Sequence, residues 1–262
     1  MLEIKNVSKT FNAGTINETH ALNRLNLSLA QGEFITVIGG NGSGKSTLLN
    51  AVAGIFGVDS GKIIIDDKDV TKLPDFKRAV YLGRVFQDPM RGSAANMTIE
   101  ENLALAVRRG AGRGLSRGVP KSERAQYREA LSLLDLGLEN RMTAQVGLLS
   151  GGQRQAITLL MATIKKPKLL LLDEHTAALD PKTATKVLEL SDMLVKRDNL
   201  TTLMVTHNMK DAIRYGDRLI MMSGGNIVFE AAGEEKKSLT VRDIIEKFST
   251  VSAGDYSAAL LS

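Results

Sequence analysis

The chain has 262 residues, of which 43% are hydrophobic and 24% charged, a composition typical of one large globular domain or two small ones. The absence of cysteine excludes disulfides and Cys-based metal sites, three histidines argue against a zinc site, and 4% aromatic residues argue against a nucleic-acid partner. The net charge of +5 is mild, no apolar run approaches the ~20 residues of a membrane span, and the N-terminus lacks a secretory signal, so we expect a cytosolic chain.

The first third of the chain predicts a β-rich region. Apolar and polar residues alternate in LEIKNVSKTF and LNRLNLSLAQG, which is typical of strands. The continuous apolar run Phe34–Gly40 predicts a buried strand. A helical pattern follows from Lys45 to about Gly54, and GKIIIDDKDV predicts a short strand pair.

The rest of the chain predicts helices and then strands again. Residues 89–167 are mostly helical in pattern, strands return in KLLLLDE and TTLMVTHN, and DRLIMMSGGNIVFE predicts a hairpin that turns at Gly-Gly-Asn. We therefore expect one domain over residues 1–250, an α/β core with a helical subdomain at about 89–167 inserted in it. The Arg/Gly-rich run Arg108–Gly118 predicts a solvated surface loop, and residues 251–262 predict a flexible tail.

The run GGNGSGKST, between the buried strand and the first helix, fits the phosphate-binding pattern G-x-x-x-x-G-K-[ST]. Its glycines let backbone N–H groups surround phosphate oxygens, and the helix N-terminus adds positive dipole character. We expect Lys45 to neutralise the β- and γ-phosphates, Ser46 to ligate Mg²⁺ and Thr47 to donate near the α-phosphate. A chance Gly-rich turn is the alternative, which the flanking strand and helix disfavour. The predicted loop residues are Gly39, Gly40, Asn41, Gly42, Ser43, Gly44, Lys45, Ser46 and Thr47.

Two carboxylates, Asp173 and Glu174, follow the aliphatic strand KLLLLDE. A buried parallel strand delivers them to the carboxyl edge of the sheet, where open α/β sheets bind ligands. Consecutive residues point to opposite sides, so we expect Asp173 to face the metal and Glu174 to act as general base on the attacking water. An acidic strand end that caps the next helix is the alternative.

Three further residues have both a functional and a structural interpretation. Gln87 in RVFQDP follows an apolar strand and is placed to reach Mg²⁺ or the attacking water, although alone it is an ordinary loop glutamine. His207 in TLMVTHN ends a strand at the same sheet edge, either as a hydrogen-bond partner of the γ-phosphate or as a structural histidine. Phe11 either stacks on an adenine ring or belongs to the core.

A second bare helix N-terminus occurs at LLSGGQRQAI. Ser150 and Gln153 form the S-x-x-Q pattern of a capping box, and Gly151 and Gly152 leave the first turn without side chains. That arrangement predicts a second phosphate-binding surface. A chain with one phosphate loop and two phosphate surfaces is explained by a head-to-tail dimer, in which each ATP lies between two copies. Asp180, before Pro181, predicts another helix cap.

These motifs, in this order, resemble those of the ABC ATPase family, the nucleotide-binding subunits of ABC transporters, over about residues 1–230. GGNGSGKST is similar to the Walker A motif, LLLLDE to Walker B and LSGGQRQ to the signature motif. The resemblance implies a P-loop NTPase (RecA-like) core, with an N-terminal antiparallel β-subdomain and an inserted α-helical subdomain. It also implies ATP and Mg²⁺ as ligands. The matching single residues are Phe11 of the A-loop, Gln87 of the Q-loop, Asp180 of the D-loop and the switch histidine His207.

The sequence departs from the family at two positions. Gly40 replaces a common proline, which should loosen the loop slightly, and His175 follows Asp-Glu where proline is usual. The catalytic pair and Asp180 are retained, so we expect an active enzyme. DEHTAALDPKTA and LTTLMVTHNMKDA look like a subgroup that serves bacterial importers, some of them linked to aromatic amino acids.

The resemblance implies the ATPase subunit of a transporter that acts with a second ATPase copy. We expect a separate permease to dock in a groove near Gln87, an extracellular solute-binding protein to deliver solute to that permease, and the chain to lie on the cytoplasmic face of the membrane. A soluble ABC ATPase, such as an iron–sulfur cluster assembly factor, is one alternative. A P-loop kinase is another, but it would have no use for Ser150–Gln153.

Overall fold

A computed structural model of the protein describes residues 1–111 and 118–259. Within those residues, none of the helices combines the length and the hydropathy that crossing a bilayer requires. The strands are β1 (Leu2–Phe11), β2 (Thr19–Leu29), β3 (Phe34–Gly39), β4 (Ser60–Ile65), β5 (Lys68–Asp69), β6 (Leu82–Val85), β7 (Leu169–Asp173), β8 (Thr202–Val205), β9 (Arg218–Ser223) and β10 (Asn226–Ala232). The α-helices are α1 (Lys45–Ala53), α2 (Asp75–Arg78), α3 (Ile99–Val107), α4 (Lys121–Ser132), α5 (Gly151–Thr163), α6 (Pro181–Asp198), α7 (Met209–Arg214), α8 (Gly233–Ser238) and α9 (Val241–Ala259).

An antiparallel sheet opens the first of two compact units, which comprises residues 1–73 and the chain from 201 onward. Its strand order is β2-β1-β4-β5, and Leu2 of β1 lies opposite Leu29 on one side and Ile65 on the other. All three side chains are buried, because apolar residues on one face of each strand pack together. The predicted N-terminal strands therefore form an antiparallel β-layer.

The strand β3 forms the centre of a second set of strands in this unit. It pairs in parallel with β8 on one side and with β9 on the other, and β10 pairs antiparallel with β9. Residues Phe34 to Ile38 are almost completely buried, which explains the continuous apolar run in the sequence. The predicted hairpin is present, and Gly224 and Gly225 form its turn with positive φ of 51° and 76°.

The second compact unit comprises residues 74–200. Its strands β6 and β7 pair in parallel, and its core lies between the helices α3, α4 and α5. The unit spans more of the sequence than the helical subdomain predicted at 89–167, since it also contains β6, β7 and α6. The buried core residues are Ile99, Leu103, Ala104, Tyr127, Leu131, Leu134, Leu138, Met142, Val146, Leu149, Ala156, Ile157 and Leu160.

The Arg/Gly-rich run Arg108–Gly118 is described only in part, because residues 112–117 lie outside the described residues. Its first two arginines are held inside the second unit. Arg108 Nη2 lies 3.2 Å from the Glu123 carboxylate, and Arg109 Nη1 donates to the Leu82 carbonyl at 2.8 Å. Helix α9 continues through most of the predicted C-terminal tail, and residues 260–262 lie outside the described residues.

Candidate functional site

The predicted phosphate-binding loop joins the buried end of β3 to α1. The side chain of Lys45 folds back over the loop, and its Nζ donates to the carbonyl oxygens of Gly39 at 2.7 Å and Gly40 at 2.9 Å. Lys45 is only 7% exposed, whereas Ser46 beside it is exposed. A single ammonium group is thereby held at the centre of a glycine-rich loop, the arrangement that suits phosphate oxygens.

Three of the four glycines of this loop are required by the backbone or by close neighbours, and Gly40 is the exception. Gly42 and Gly44 have φ of 77° and 100°, in the left-handed region that side chains rarely adopt. A Cβ on Gly44 would lie 2.5 Å from the carbonyl oxygen of Ala21, and one on Gly39 would lie 2.5 Å from that of Met222. Among the described residues, no side chain caps the N-terminus of α1. This helix end is therefore bare, as an anion site requires.

His207 lies beside the loop in the same unit. It is exposed, and it lines a pocket of about 290 Å³ together with Gly39, Gly40 and Phe248 of α9. The structure therefore brings the predicted switch histidine next to the predicted phosphate loop.

Phe11 ends β1 as half of an aromatic pair. Its ring meets that of Phe56 edge-on, with centroids 5.2 Å apart, and the Nζ of Lys9 lies 5.5 Å from its centroid. Phe11 is half-buried, so part of its ring stays accessible. This position is compatible with either interpretation of Phe11, adenine stacking or packing.

Asp173 ends β7 in the second unit, and Glu174 directly follows it. Asp173 Oδ2 accepts a hydrogen bond of 2.9 Å from Nη2 of Arg84, whose guanidinium also lies 4.6 Å from the Phe86 ring centroid. Glu174 has φ of 45°, a conformation that is uncommon outside glycine and that concentrates at functional sites. Glu174 therefore lies in a bend that directly follows β7.

His175 is fully buried behind this turn. Its Nε2 lies 2.9 Å from Oγ of Ser191, and that hydroxyl donates its only proton to the Val187 carbonyl at 2.8 Å. We therefore assign the imidazole proton to Nε2, which donates to Ser191. Burial lowers the pKa of His175 to about 4, so the ring is neutral near pH 7. It ties the residue after Glu174 to α6.

The predicted second helix N-terminus has the predicted capping box. Oγ of Ser150 accepts from the backbone N–H of Gln153 at 3.3 Å, and Oε1 of Gln153 accepts from the backbone N–H of Ser150 at 3.2 Å. Ser150 and Gly151 are exposed, whereas Gly152 is buried. The start of α5 is therefore a rigid turn with a solvent-facing backbone.

Two polar residues that the sequence reasoning missed hold this turn in place. Arg154 donates to the carbonyl oxygens of the loop before the turn, Val146 at 3.3 Å and Leu149 at 3.0 Å. Gln155, fully buried, donates through Nε2 to the carbonyl of Phe86 at 3.1 Å, directly before the exposed Gln87. The signal was present, because a glutamine on the apolar face of a helix requires a buried partner.

Asp180 caps α6, as predicted. Its Oδ1 accepts from the backbone N–H of Thr183 at 3.0 Å, and Pro181 occupies the first helical position. Hydrogen bonds from Thr183 lower the pKa of the Asp180 carboxyl, so it is ionised at neutral pH.

The predicted site residues are divided between the two units. The first unit contains Phe11, His207 and the loop from Gly39 to Thr47. The second unit contains Gln87, Ser150, Gly151, Gly152, Gln153, Asp173, Glu174 and Asp180.

Comparisons with known proteins identify the family. Residues 22–177 match the family model described as ABC transporter. A tyrosine transport ATP-binding protein of Clostridioides difficile is 45% identical, over 95% of this chain and 98% of its own length. The spermidine/putrescine import ATP-binding protein PotA of Haemophilus influenzae is 34% identical over 90% of this chain, which spans 59% of that longer protein.

Solved structures show the same fold. A dimeric post-hydrolysis state of the ATP-binding cassette MJ0796, bound to ADP and Pi, matches 88% of this chain and 98% of its own chain, with a TM-score of 0.75 and 32% identity. The ATP-binding cassette MJ1267 matches 95% of this chain and 98% of its own, with a TM-score of 0.77 and 28% identity. The predicted α/β P-loop fold class is confirmed. The chain belongs to the ABC transporter family, as an ATP-binding subunit that hydrolyses ATP.

Proposed function

We propose that two copies of this chain bind two ATP molecules between them, head to tail, and so energise a separate membrane permease. The observation that carries the proposal is the second glycine-rich helix N-terminus, where Ser150 and Gly151 are exposed and a capping box holds the first turn. A chain that hydrolyses ATP at its own phosphate loop needs this surface only if it meets the nucleotide of another copy. A dimeric relative bound to ADP and Pi supports this arrangement.

The predicted residues take the following roles in this proposal. Lys45 and the loop amides bind the β- and γ-phosphates, and Phe11 stacks on adenine. Glu174 accepts the proton of the attacking water, and His207 orients the γ-phosphate. On the partner's nucleotide, Ser150, Gly151, Gly152 and Gln153 contact the γ-phosphate, and Asp180 lies at the interface between the copies.

The donor set fits Mg²⁺. The proposed ligands are the Ser46 hydroxyl, the Gln87 amide oxygen and the Asp173 carboxylate, all hard oxygen donors, and the described residues contain no cluster of three or more His, Cys, Asp or Glu. A single carboxylate suits Mg²⁺, which takes its other ligands from phosphates and water. When bound, the ion neutralises charge that develops on the phosphates. Asp173 must exchange its contact with Arg84 for this role.

A mixing experiment tests the shared site. Lys45→Ala disables the phosphate loop of one copy, and Ser150→Arg disables the signature turn of another. Each variant alone should hydrolyse little ATP, but their mixed dimer contains one intact site, built from the Lys45 of one copy and the Ser150 of the other. We expect hydrolysis to return on mixing. If both residues act within one chain, the mixture stays as inactive as its components.

We also propose a docking groove for the permease in the second unit. A groove of about 420 Å³ is lined by Phe76, Leu105 and Thr158, and Phe76 is 70% exposed. An exposed phenylalanine beside a groove is typical of an interaction site. Phe76→Asp should abolish co-purification with the permease and leave ATP binding unchanged. Retained co-purification would exclude this groove as the docking site.

We propose an aromatic amino acid, tyrosine first, as the solute that is imported. The proposal rests on the relative that is a tyrosine transport ATP-binding protein and is 45% identical over almost the whole chain. In this proposal the chain lies at the cytoplasmic face of the membrane, and an extracellular protein delivers solute to the permease. In proteoliposomes reconstituted with a candidate permease and solute-binding protein, tyrosine should stimulate ATP hydrolysis. Stimulation by spermidine instead would overturn the assignment.

A further inference from the structure

The two glycines at the start of α5 have different surroundings. A Cβ built on Gly151 would meet only Cδ2 of Leu179, at 3.4 Å, an ordinary contact. A Cβ built on Gly152 would lie 2.1 Å from Cγ2 of Thr183, in the first turn of α6, far inside the closest contact that two carbon atoms allow. Gly152 is glycine because α6 packs directly on it. Gly151 is exposed and meets no such obstacle.

Thr183 is itself held in place. Its backbone N–H donates to Oδ1 of Asp180 at 3.0 Å, and its side chain also hydrogen-bonds that carboxylate. Because threonine is β-branched, its side chain has few rotamers in a helix, so its methyl group does not withdraw freely. Asp180 therefore contacts Thr183, and Thr183 contacts Gly152.

Packing is open beside this contact. A cavity of about 540 Å³ lies between α5 and α6, and its lining includes Ser150, Gly152, Thr183 and Met193. At this end of the two helices, the methyl group of Thr183 against Gly152 is a direct contact between α6 and α5.

We propose that Thr183 is a positioning residue for the signature turn, Ser150–Gln153. Its methyl group packs on Gly152 and thereby fixes the position of Ser150 and Gly151 relative to the Asp180 carboxylate. The inference rests on the proposed function, in which both groups face the nucleotide of a second copy. It adds a packing role within the chain to the proposed nucleotide contact of Gly152, a role that Gly151 does not share.

A rescue experiment separates these assignments. In a Glu174→Gln background, which should keep ATP bound, Gly152→Ala should raise the ATP concentration needed for dimer formation about tenfold to 100-fold, because the turn is displaced. Adding Thr183→Ser removes the opposing methyl group and keeps the hydroxyl on Asp180, and it should restore dimer formation to within about threefold of the parent. Thr185→Ser, the same change on the exposed face of α6, is the matched control and should not rescue.

Every outcome of this experiment either supports or refutes the inference. Binding of a fluorescent ATP analogue to the monomer should be equal in all variants, since the proposed contacts of Ser150 to Gln153 are with the nucleotide of the other copy. If Gly152→Ala dimerises like its parent, the contact with Thr183 does not position the turn and the inference is refuted. If Gly152→Ala is defective and Thr183→Ser fails to rescue it, Thr183 has no positioning role and the defect arises at the nucleotide. If Gly152→Ala does not fold, the double variant with Thr183→Ser must fold, and its failure would equally refute the inference. A Glu174→Gln parent that never dimerises refutes the proposed function instead.

Discussion

At the scale of single residues, the site depends on a few side chains whose surroundings are unusual. Lys45 is a nearly buried cation that uses two carbonyl oxygens of its own loop as partners. Glu174 adopts a left-handed backbone conformation, and the neutral His175 behind it is buried. The sequence predicted Lys45 and Glu174 from their motifs. The buried role of His175 was not predictable, because it depends on Ser191, 16 residues later on another element.

Removing the ammonium group of Lys45 should weaken nucleotide binding. A charge-assisted hydrogen bond contributes about 1.5–3 kcal/mol, so Lys45→Ala should raise the dissociation constant for ATP about 10- to 100-fold. Calorimetric titration of ATP into the two proteins measures the change. Lys62→Ala, on the exposed part of β4, is the control and should bind like the wild type. Equal affinities for all three proteins would remove Lys45 from the site.

His175 should make stability depend on pH. Burial lowers its pKa from 6.5 to about 4, so between these values the unfolded chain binds a proton that the folded chain does not. The stabilisation is therefore complete above pH 6.5 and is lost as pH falls toward 4, by about 3 kcal/mol at most. Urea unfolding of the wild type and of His175→Gln, measured from pH 7 to pH 4.5, should show the smaller loss in the variant. Parallel pH profiles would contradict the assignment.

At the scale of elements, the capping boxes of α3 and α5 have different roles. Thr98 and Glu101 cap α3, and Ser150 and Gln153 cap α5, in both cases with reciprocal hydrogen bonds. The second box was predictable from four consecutive letters, because its partners lie in one turn. The packing of α6 on Gly152 was not, since it joins residues that are distant in sequence.

The two boxes provide a matched pair of variants. Thr98→Ala and Ser150→Ala each remove one cap hydrogen bond, so each should lower the free energy of unfolding by about 1 kcal/mol. Only Ser150→Ala should also weaken ATP-driven dimer formation, because only Ser150 belongs to the proposed interface. Urea unfolding and sizing with ATP measure the two effects. If both variants impaired dimer formation equally, the effect of Ser150 would be one of stability alone.

The order of strands and helices was largely predictable, because each apolar run had the length and period of its element. The buried strand β3 and the hairpin β9–β10 lie where the pattern placed them. The compact unit 74–200 differs from the predicted subdomain at 89–167, because its boundary depends on which elements pack together. Such contacts between elements cannot be predicted from the periodicity of apolar residues within one element.

At the scale of the whole molecule, the central claim concerns two copies. The chain carries a phosphate loop in one unit and, in the other, a helix N-terminus whose capped first turn exposes Ser150 and Gly151. In the proposed dimer, ATP joins the loop of one copy to the turn of the other, and loss of the γ-phosphate releases them. The same device would drive a permease by opening and closing its two ATPase subunits.

The most direct test is the mass of the Glu174→Gln variant in solution. This change should slow hydrolysis about 10²- to 10⁴-fold and leave ATP binding intact. Size-exclusion chromatography with light scattering should then find a dimer with ATP and Mg²⁺, and a monomer with ADP or when Ser150→Arg is added. A variant that stays monomeric with saturating ATP, or that is dimeric whatever nucleotide is present, would contradict the account.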